Sequence, residues 1–252
     1  MSAKALIAAA ETLSARLDGL NFSAPVTHVY NPLDYAGAAH AQYLTQWGNQ
    51  PQSRRVIFLG MNPGPFGMVQ VGVPFGEVSI VHEWLRIDAP IQQPLHMNPK
   101  RPIEGWACTR SEVSGRRLWG LFRDRFVTPE AFFAEHFVAN YCPLAFFDNA
   151  RNVTPDKLPA AEMAPVIDAC DTHLRTLVET MQPDWVVGVG AYAEAQAVRA
   201  LASSSHQPRI GRVLHPSPAS PAANRGWAEA ATRQMIEQGI WRAQVWAGEQ
   251  CL

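Results

Sequence analysis

Val56-Ile57-Phe58-Leu59, running directly into Gly60-Met61-Asn62-Pro63-Gly64-Pro65-Phe66-Gly67, is the stretch whose reading decides the fold. An apolar run with no polar alternation reads as a strand covered on both faces, the condition of a parallel strand inside an α/β sheet. Three more runs share this character: Phe137-Val138-Ala139-Asn140-Tyr141, Trp185-Val186-Val187-Gly188-Val189 and Arg212-Val213-Leu214. Helical patterns occupy the intervals, over Glu77 to Ile87, Ser111 to Phe126, Ala160 to Met181, Ala191 to Ala202 and Pro221 to Gln238. The last opens with Ser220 at the cap and Pro221 in the first turn. Strands alternating with helices predict an α/β fold of three layers, α/β/α, around a central four-stranded parallel sheet.

Ligands of such sheets bind beyond the carboxyl ends of the strands, so the residues that follow each run carry the functional information. After the first run, the Gly60 to Gly67 loop sets three glycines and two prolines around one carboxamide, Asn62. That composition fixes the backbone and clears side chains away from a flat ligand or a phosphate. It equally describes a rigid turn in which Asn62 caps its own backbone. Cys142-Pro143-Leu144 follows the second run, and His215-Pro216-Ser217-Pro218 the fourth. A lone histidine is more often structural than catalytic, but His215 stands in a stiff loop at a ligand-binding strand end. Gly188-Val189-Gly190-Ala191-Tyr192-Ala193 has dinucleotide-fingerprint spacing, yet no acid stands between Glu194 and Glu229 to hold a ribose. A glycine turn packed tightly on the sheet accounts for it better. Neither a GxSxG nor a GxxxxGK[ST] motif is present, and His82, His96, His136, His173 and His206 read as surface or satisfied core residues with no metal spacing.

Composition bounds the rest. With 252 residues, 47% of them hydrophobic, and no polar linker, residues 1–252 are expected to form one domain, with an N-terminal helical segment of about residues 1–50 packed on it. A formal net charge of −1 supplies no global attraction to nucleic acid, so any such surface must be a local patch. Lysine is confined to Lys4, Lys100 and Lys157, the remaining basic residues being arginine. Cys108, Cys142, Cys170 and Cys251 lie far apart without a CxxC pair, which predicts reduced thiols and neither a zinc knuckle nor a disulfide framework. Ala3 to Leu17 carries Lys4, Glu11 and Arg16 and reads as an amphipathic helix, not a signal peptide, and no apolar run is long enough to span a membrane.

GMNPGPFGMVQVGVPFGEV from Gly60 to Val78, NYCPL from Asn140 to Leu144 and HPSPASPAANRGW from His215 to Trp227 together resemble the single-strand-selective monofunctional uracil-DNA glycosylases, within the uracil-DNA glycosylase superfamily. SEVSGRRLWG from Ser111 and RNVTPDKLPA from Arg151 resemble the same family, so the likeness covers most of the chain after about Val56. It implies hydrolysis of the N-glycosidic bond of uracil, and of 5-substituted uracils such as 5-hydroxymethyluracil, in single- and double-stranded DNA. By this resemblance Asn62 orients the attacking water, His215 contacts uracil O2, Asn140 binds the base edge and Phe75 stacks on the ring. Gly64 lines the space beside the 5-position, with the Met61 backbone nearby. Pro216, Ser217, Pro218, Ala219, Ser220 and Arg225 belong to the wedge that fills the gap left by a flipped base. Ala219 stands where the family typically has a basic residue.

These residue types suit the chemistry. A neutral histidine donating to O2 stabilises charge that develops in the transition state, and an asparagine orients water without having to act as a strong base. No cofactor, metal or membrane is expected to take part, a monomer is expected, and no lysine lies in a pocket motif to support lyase chemistry. The expected location is cytoplasmic, at the nucleoid in a bacterium, or nuclear in a eukaryote. The rival readings are a glycosylase for another deaminated base, xanthine or hypoxanthine, and a non-catalytic damaged-DNA-binding protein of the same fold.

Overall fold

The computed structural model describes residues 3–48 and 55–242, which leaves Cys251 outside the described residues. Among these residues seven strands form: β1 (His28–Tyr30), β2 (Val56–Gly60), β3 (His136–Asn140), β4 (Ala145–Asp148), β5 (Arg151–Val153), β6 (Trp185–Val189) and β7 (Arg209–Val213). Four of them make the expected parallel sheet, in the order β3-β2-β6-β7. Every residue of β2 is buried, as its unbroken apolar run requires. The five longest helices are α1 (Ala3–Leu17), α2 (Val113–Phe126), α3 (Ala160–Met181), α4 (Ala191–Leu201) and α5 (Trp227–Glu237). Helices α1, α3 and α4 pack together on one side of the sheet, while α2 and α5 pack together on the other. One apolar cluster runs from Leu6 to Trp241 through β2 and β6. No described helix is long and apolar enough to cross a membrane.

Register sets the site. Gly60 pairs with Asn140 and Val189 with Val213, so all four parallel strands end on the same side of the molecule. The ladder continues one step further, because Tyr141 N–H donates to Gly60 O and Cys142 N–H to Met61 O, both at 2.9 Å. The loops that follow β2 and β3 are thereby held side by side.

Several expectations need correction. The fourth parallel strand spans Arg209–Val213 and excludes Leu214. It is an edge strand that alternates exposed and buried residues, so only its final apolar residues stood out in the sequence. The second strand begins one residue earlier than expected, at His136, and ends at Asn140. The helix expected over Glu77 to Ile87 forms only over Val78–Glu83, and the one expected from Ser111 starts at Val113. The helix expected over Pro221 to Gln238 divides into Pro221–Asn224 and α5, because Gly226 adopts φ 127° between them. The Ser220 cap does form, its side chain accepting from Ala223 N–H. The N-terminal segment is not wholly helical, since β1 joins β4 and β5 in a second, antiparallel sheet of order β1-β4-β5. Cys108, Cys142 and Cys170 are free and buried. His136 is a satisfied core residue, with Nδ1 on Phe132 O and Nε2 accepting from the Trp241 indole. His173 departs from that description in part: it is hydrogen-bonded to the Ala9 backbone, but its buried Nδ1 has no hydrogen-bond partner among the described residues.

Candidate active site

The base of the site is Gly60, the last residue of β2. A Cβ there would lie 2.2 Å from Asn140 Oδ1 and 2.4 Å from the Phe75 ring, so the amide and the aromatic ring converge over a position that only glycine can hold. Asn140 Nδ2 faces Met68 Sδ at 3.1 Å, a weak acceptor, while the buried Oδ1 has no partner among the described residues. A buried, unpaired amide oxygen costs free energy unless a ligand completes it. Phe75 is 8% exposed and takes φ 54°, an uncommon conformation for a non-glycine residue. Helix α2 presses on that point: a Cβ on Gly115 would lie 2.0 Å from Phe75 O. Gly115 thus admits the strained turn that aims the Phe75 ring.

Asn62 follows on the same loop, and its Nδ2 donates to Leu144 O at 3.2 Å. Since a carbonyl can only accept, the amide is oriented, and Oδ1 remains an acceptor turned to other partners. His215 is oriented by the same logic. The Ser217 backbone N–H donates to its Nδ1 at 3.1 Å, so the ring proton belongs on Nε2. Desolvation pushes the His215 pKa below the ordinary histidine value, which keeps the ring neutral. The Phe75 and His215 rings stand 6.2 Å apart, inclined at 41°. Gly190 backs the histidine: at φ 95° it would carry a Cβ 3.2 Å from His215 Cβ. The glycine turn is packed as tightly as expected, for a Cβ on Gly188 would meet Glu194 N at 2.3 Å.

Gly64 differs from the sequence reading in what it leaves open. The space where its Cβ would stand is filled by the Glu112 carboxylate, with Oε2 2.3 Å away, so a polar group borders this position. Glu112 accepts from Phe66 N–H at 3.3 Å and is also hydrogen-bonded by the Ser114 backbone, but burial outweighs these and raises its pKa. The Met61 backbone lies beside this loop, tied to Cys142. Sequence reasoning missed Glu112, Gly115 and Arg117, although SEVSGRRLWG was the available signal. Arg117 Nη1 donates to Pro216 O and Nη2 to Asn224 Oδ1, both at 2.9 Å, anchoring the His215 loop to α2.

The loop beyond His215 is internally braced. Ala219 N–H donates to Ser217 Oγ, Ser220 N–H to Ser217 O and Asn224 Nδ2 to Pro218 O. Pro216 is buried, Ser217 and Ser220 are partly buried, and Pro218 and Ala219 form the exposed tip, with Arg225 exposed at the far end. Among the described residues no group of three His, Cys, Asp or Glu side chains converges as a metal-ligand set.

A parallel sheet whose strand ends gather two oriented amides, an aromatic face and a neutral histidine defines a class that sequence comparison identifies: the uracil DNA glycosylase superfamily, whose sequence model matches residues 47–237. Within it, proteins of Mus musculus, Rattus norvegicus and Bos taurus named single-strand selective monofunctional uracil-DNA glycosylase are each 46% identical over 229 residues. These alignments span 90% of this chain and 81%, 82% and 84% of the respective relatives. The chain belongs to this single-strand-selective monofunctional family. The crystal structure of Pedobacter heparinus SMUG2 shares the fold at TM-score 0.59 and 19% identity, over 92% of this chain and 95% of that one.

Proposed function

We propose that this protein is a monofunctional uracil-DNA glycosylase that hydrolyses the N-glycosidic bond of uracil in single- and double-stranded DNA and so initiates base excision repair. The observation that carries the reading is the unpartnered, buried Asn140 Oδ1 beside the Phe75 ring. Uracil supplies an N3–H for that oxygen, an O4 for the Asn140 amide and a flat face for the ring. As the bond to C1′ breaks, its electron pair leaves on the base. Nε2–H of neutral His215 donates to O2, where that charge collects. Water held by Asn62 Oδ1 attacks the sugar cation and loses its proton to solvent, which leaves an intact abasic strand.

A base inside a duplex must be extruded first, and the braced loop from Pro216 to Ser220, with Arg225, is suited to fill the vacated stack. The substrate range extends to 5-hydroxymethyluracil, with Gly64 and the Glu112 carboxylate together bordering the 5-position. The chain acts as a monomer, as one domain without metal or cofactor, on the chromosomal DNA of the nucleoid or nucleus. Incubation with an oligonucleotide carrying one labelled uracil tests this. Free uracil and an alkali-labile but unbroken strand are expected. Retention of uracil, or a borohydride-trapped covalent adduct, would overturn it.

A further inference from the structure

We propose that Arg101 and Arg110, gathered about the ring of Phe66, form a clamp for a backbone phosphate of the DNA strand that carries the excised base. The inference rests on the glycosylase reading and adds to it a binding site outside the pocket and the wedge. The Arg110 guanidinium stands 3.8 Å from the Phe66 ring centroid and that of Arg101 5.0 Å from it. Each cation gains from the ring, but the two repel one another. Burial and then the neighbouring Arg110 charge depress the Arg101 pKa.

Among the described residues nothing neutralises the pair, and neither guanidinium takes part in an ion pair. Arg101 uses Nε on Ala150 O at 2.7 Å, and among the described residues neither its terminal nitrogens nor the Arg110 guanidinium has a hydrogen-bond acceptor. Among nearby acids, Glu112 is turned inward to the Phe66 and Ser114 backbone, and Glu104 is not within ion-pair distance of either arginine. A guanidinium stacked on a ring keeps its N–H groups free at its edges, where an anion with two or more oxygens meets them as a fork. An anion between the two would also remove their repulsion. The Phe66 face is covered by a cation, so it is not available to stack on a base, and the backbone phosphate is the fitting part of the strand.

Position agrees with chemistry. Phe66 lies on the loop that carries Asn62, and α2 holds that loop through Glu112 and the wedge loop through Arg117. The clamp is therefore fixed with respect to the groups that would act on the base. With a net charge of −1, affinity for DNA must come from such local patches.

The test is fluorescence anisotropy of an unmodified, labelled single-stranded oligonucleotide with the full chain, over a series of salt concentrations. The proteins compared are wild type, Arg110→Gln, Arg101→Gln, the double variant, and Arg233→Gln as an exposed control on α5. Each single change at the clamp is expected to flatten the slope of log K against log salt by about 0.7, the value for one single-strand phosphate contact. At low salt the single variants should bind several-fold more weakly, while Arg233→Gln matches wild type. Oligonucleotides with a methylphosphonate moved along the strand should contain one linkage whose neutralisation erases the difference between wild type and Arg110→Gln. Slopes indistinguishable from the Arg233→Gln control, or an effect on inorganic phosphate alone, would overturn the clamp. Uracil release by the same proteins is followed in parallel on a single-stranded oligonucleotide carrying one uracil. No release with altered slopes removes the glycosylase reading and leaves the phosphate site standing, whereas release with unaltered slopes does the reverse.

Discussion

His215 is held in one protonation state by its surroundings, and under the proposed function that state carries kinetic consequences. The Ser217 N–H on Nδ1 and the desolvated setting both favour the neutral ring with its proton on Nε2. Removing this donor by His215→Ala is expected to slow single-turnover uracil release by about 10²-fold or more, the usual loss for one preorganised donor to developing charge. A change below threefold would refute the assignment. Protonation of Nδ1 would break the bond from Ser217, so the rate should fall on the acid side. The depressed pKa puts that fall below pH 6.5, the ordinary histidine value, and the acid limb of the pH–rate profile measures it. Gly190 offers a second route to the same ring. Gly190→Ala strains a backbone at φ 95° and pushes on His215 Cβ. It should lower the single-turnover rate by about 10-fold or more, since small displacements of a donor are costly. If the rate of the folded fraction were unchanged and only the melting temperature fell, Gly190 would be packing and not positioning the histidine.

At the scale of the element, the loop from Pro216 to Arg225 is stiff but sparsely charged. Its tip, Pro218-Ala219, is exposed and braced from beneath by Ser217, Asn224 and Arg117. On the proposed reading of this loop as a wedge, such a tip offers few polar groups to an opened duplex. Ala219→Arg is therefore expected to raise single-turnover rates on U·A duplex severalfold while leaving single-stranded rates nearly unchanged, because only the duplex has a gap to support. An unaltered ratio of duplex to single-strand rate would show that the tip does not govern opening. How far such elements were legible depended on their environment. Helix α3 was read to the residue, from Ala160 to Met181, because a long amphipathic stripe survives any local context. Strand β7 was read only in part, since Arg209 and Arg212 face solvent at a sheet edge and break the apolar run that marks a buried strand. The β1-β4-β5 sheet escaped notice because three- and four-residue strands carry too little alternation to register. In the site, Asn62, Asn140 and His215 stood out at strand ends, whereas Glu112 lay unremarked within the helical pattern from Ser111 to Phe126. Its burial against Gly64 is a tertiary fact that no local pattern contains.

At the scale of the whole molecule, acid should loosen the N-terminal segment where it rests on the α/β body. A cavity of about 30 Å³ lies at this junction, bordered by Leu6 and Leu13 of α1, by His40 and His173, and by Asn140. His40 donates from Nδ1 to Gly72 O at 2.8 Å, because a carbonyl only accepts, and His173 is hydrogen-bonded to the Ala9 backbone. Burial pulls each pKa down to about 4, with the His40 neighbour lowering His173 further. Both rings are thus neutral in the fold, whereas in the unfolded chain they titrate near 6.5. Above pH 6.5 neither state binds these protons and the full stability is present. As pH falls from there toward about 4 the unfolded chain alone takes them up, so stability is lost across that window, on the order of 3 kcal/mol per histidine. His40→Asn keeps a donor for Gly72 O and removes the titration, so it should flatten that part of the curve. Urea midpoints for wild type and His40→Asn at intervals from pH 4 to 7.5 measure the difference. Parallel curves for the two proteins would show that His40 titrates alike in the folded and unfolded chain. A flatter curve for the variant would place the acid sensitivity at the junction that brings α1 and the helix Gly37–Tyr43 against the strand ending in Asn140.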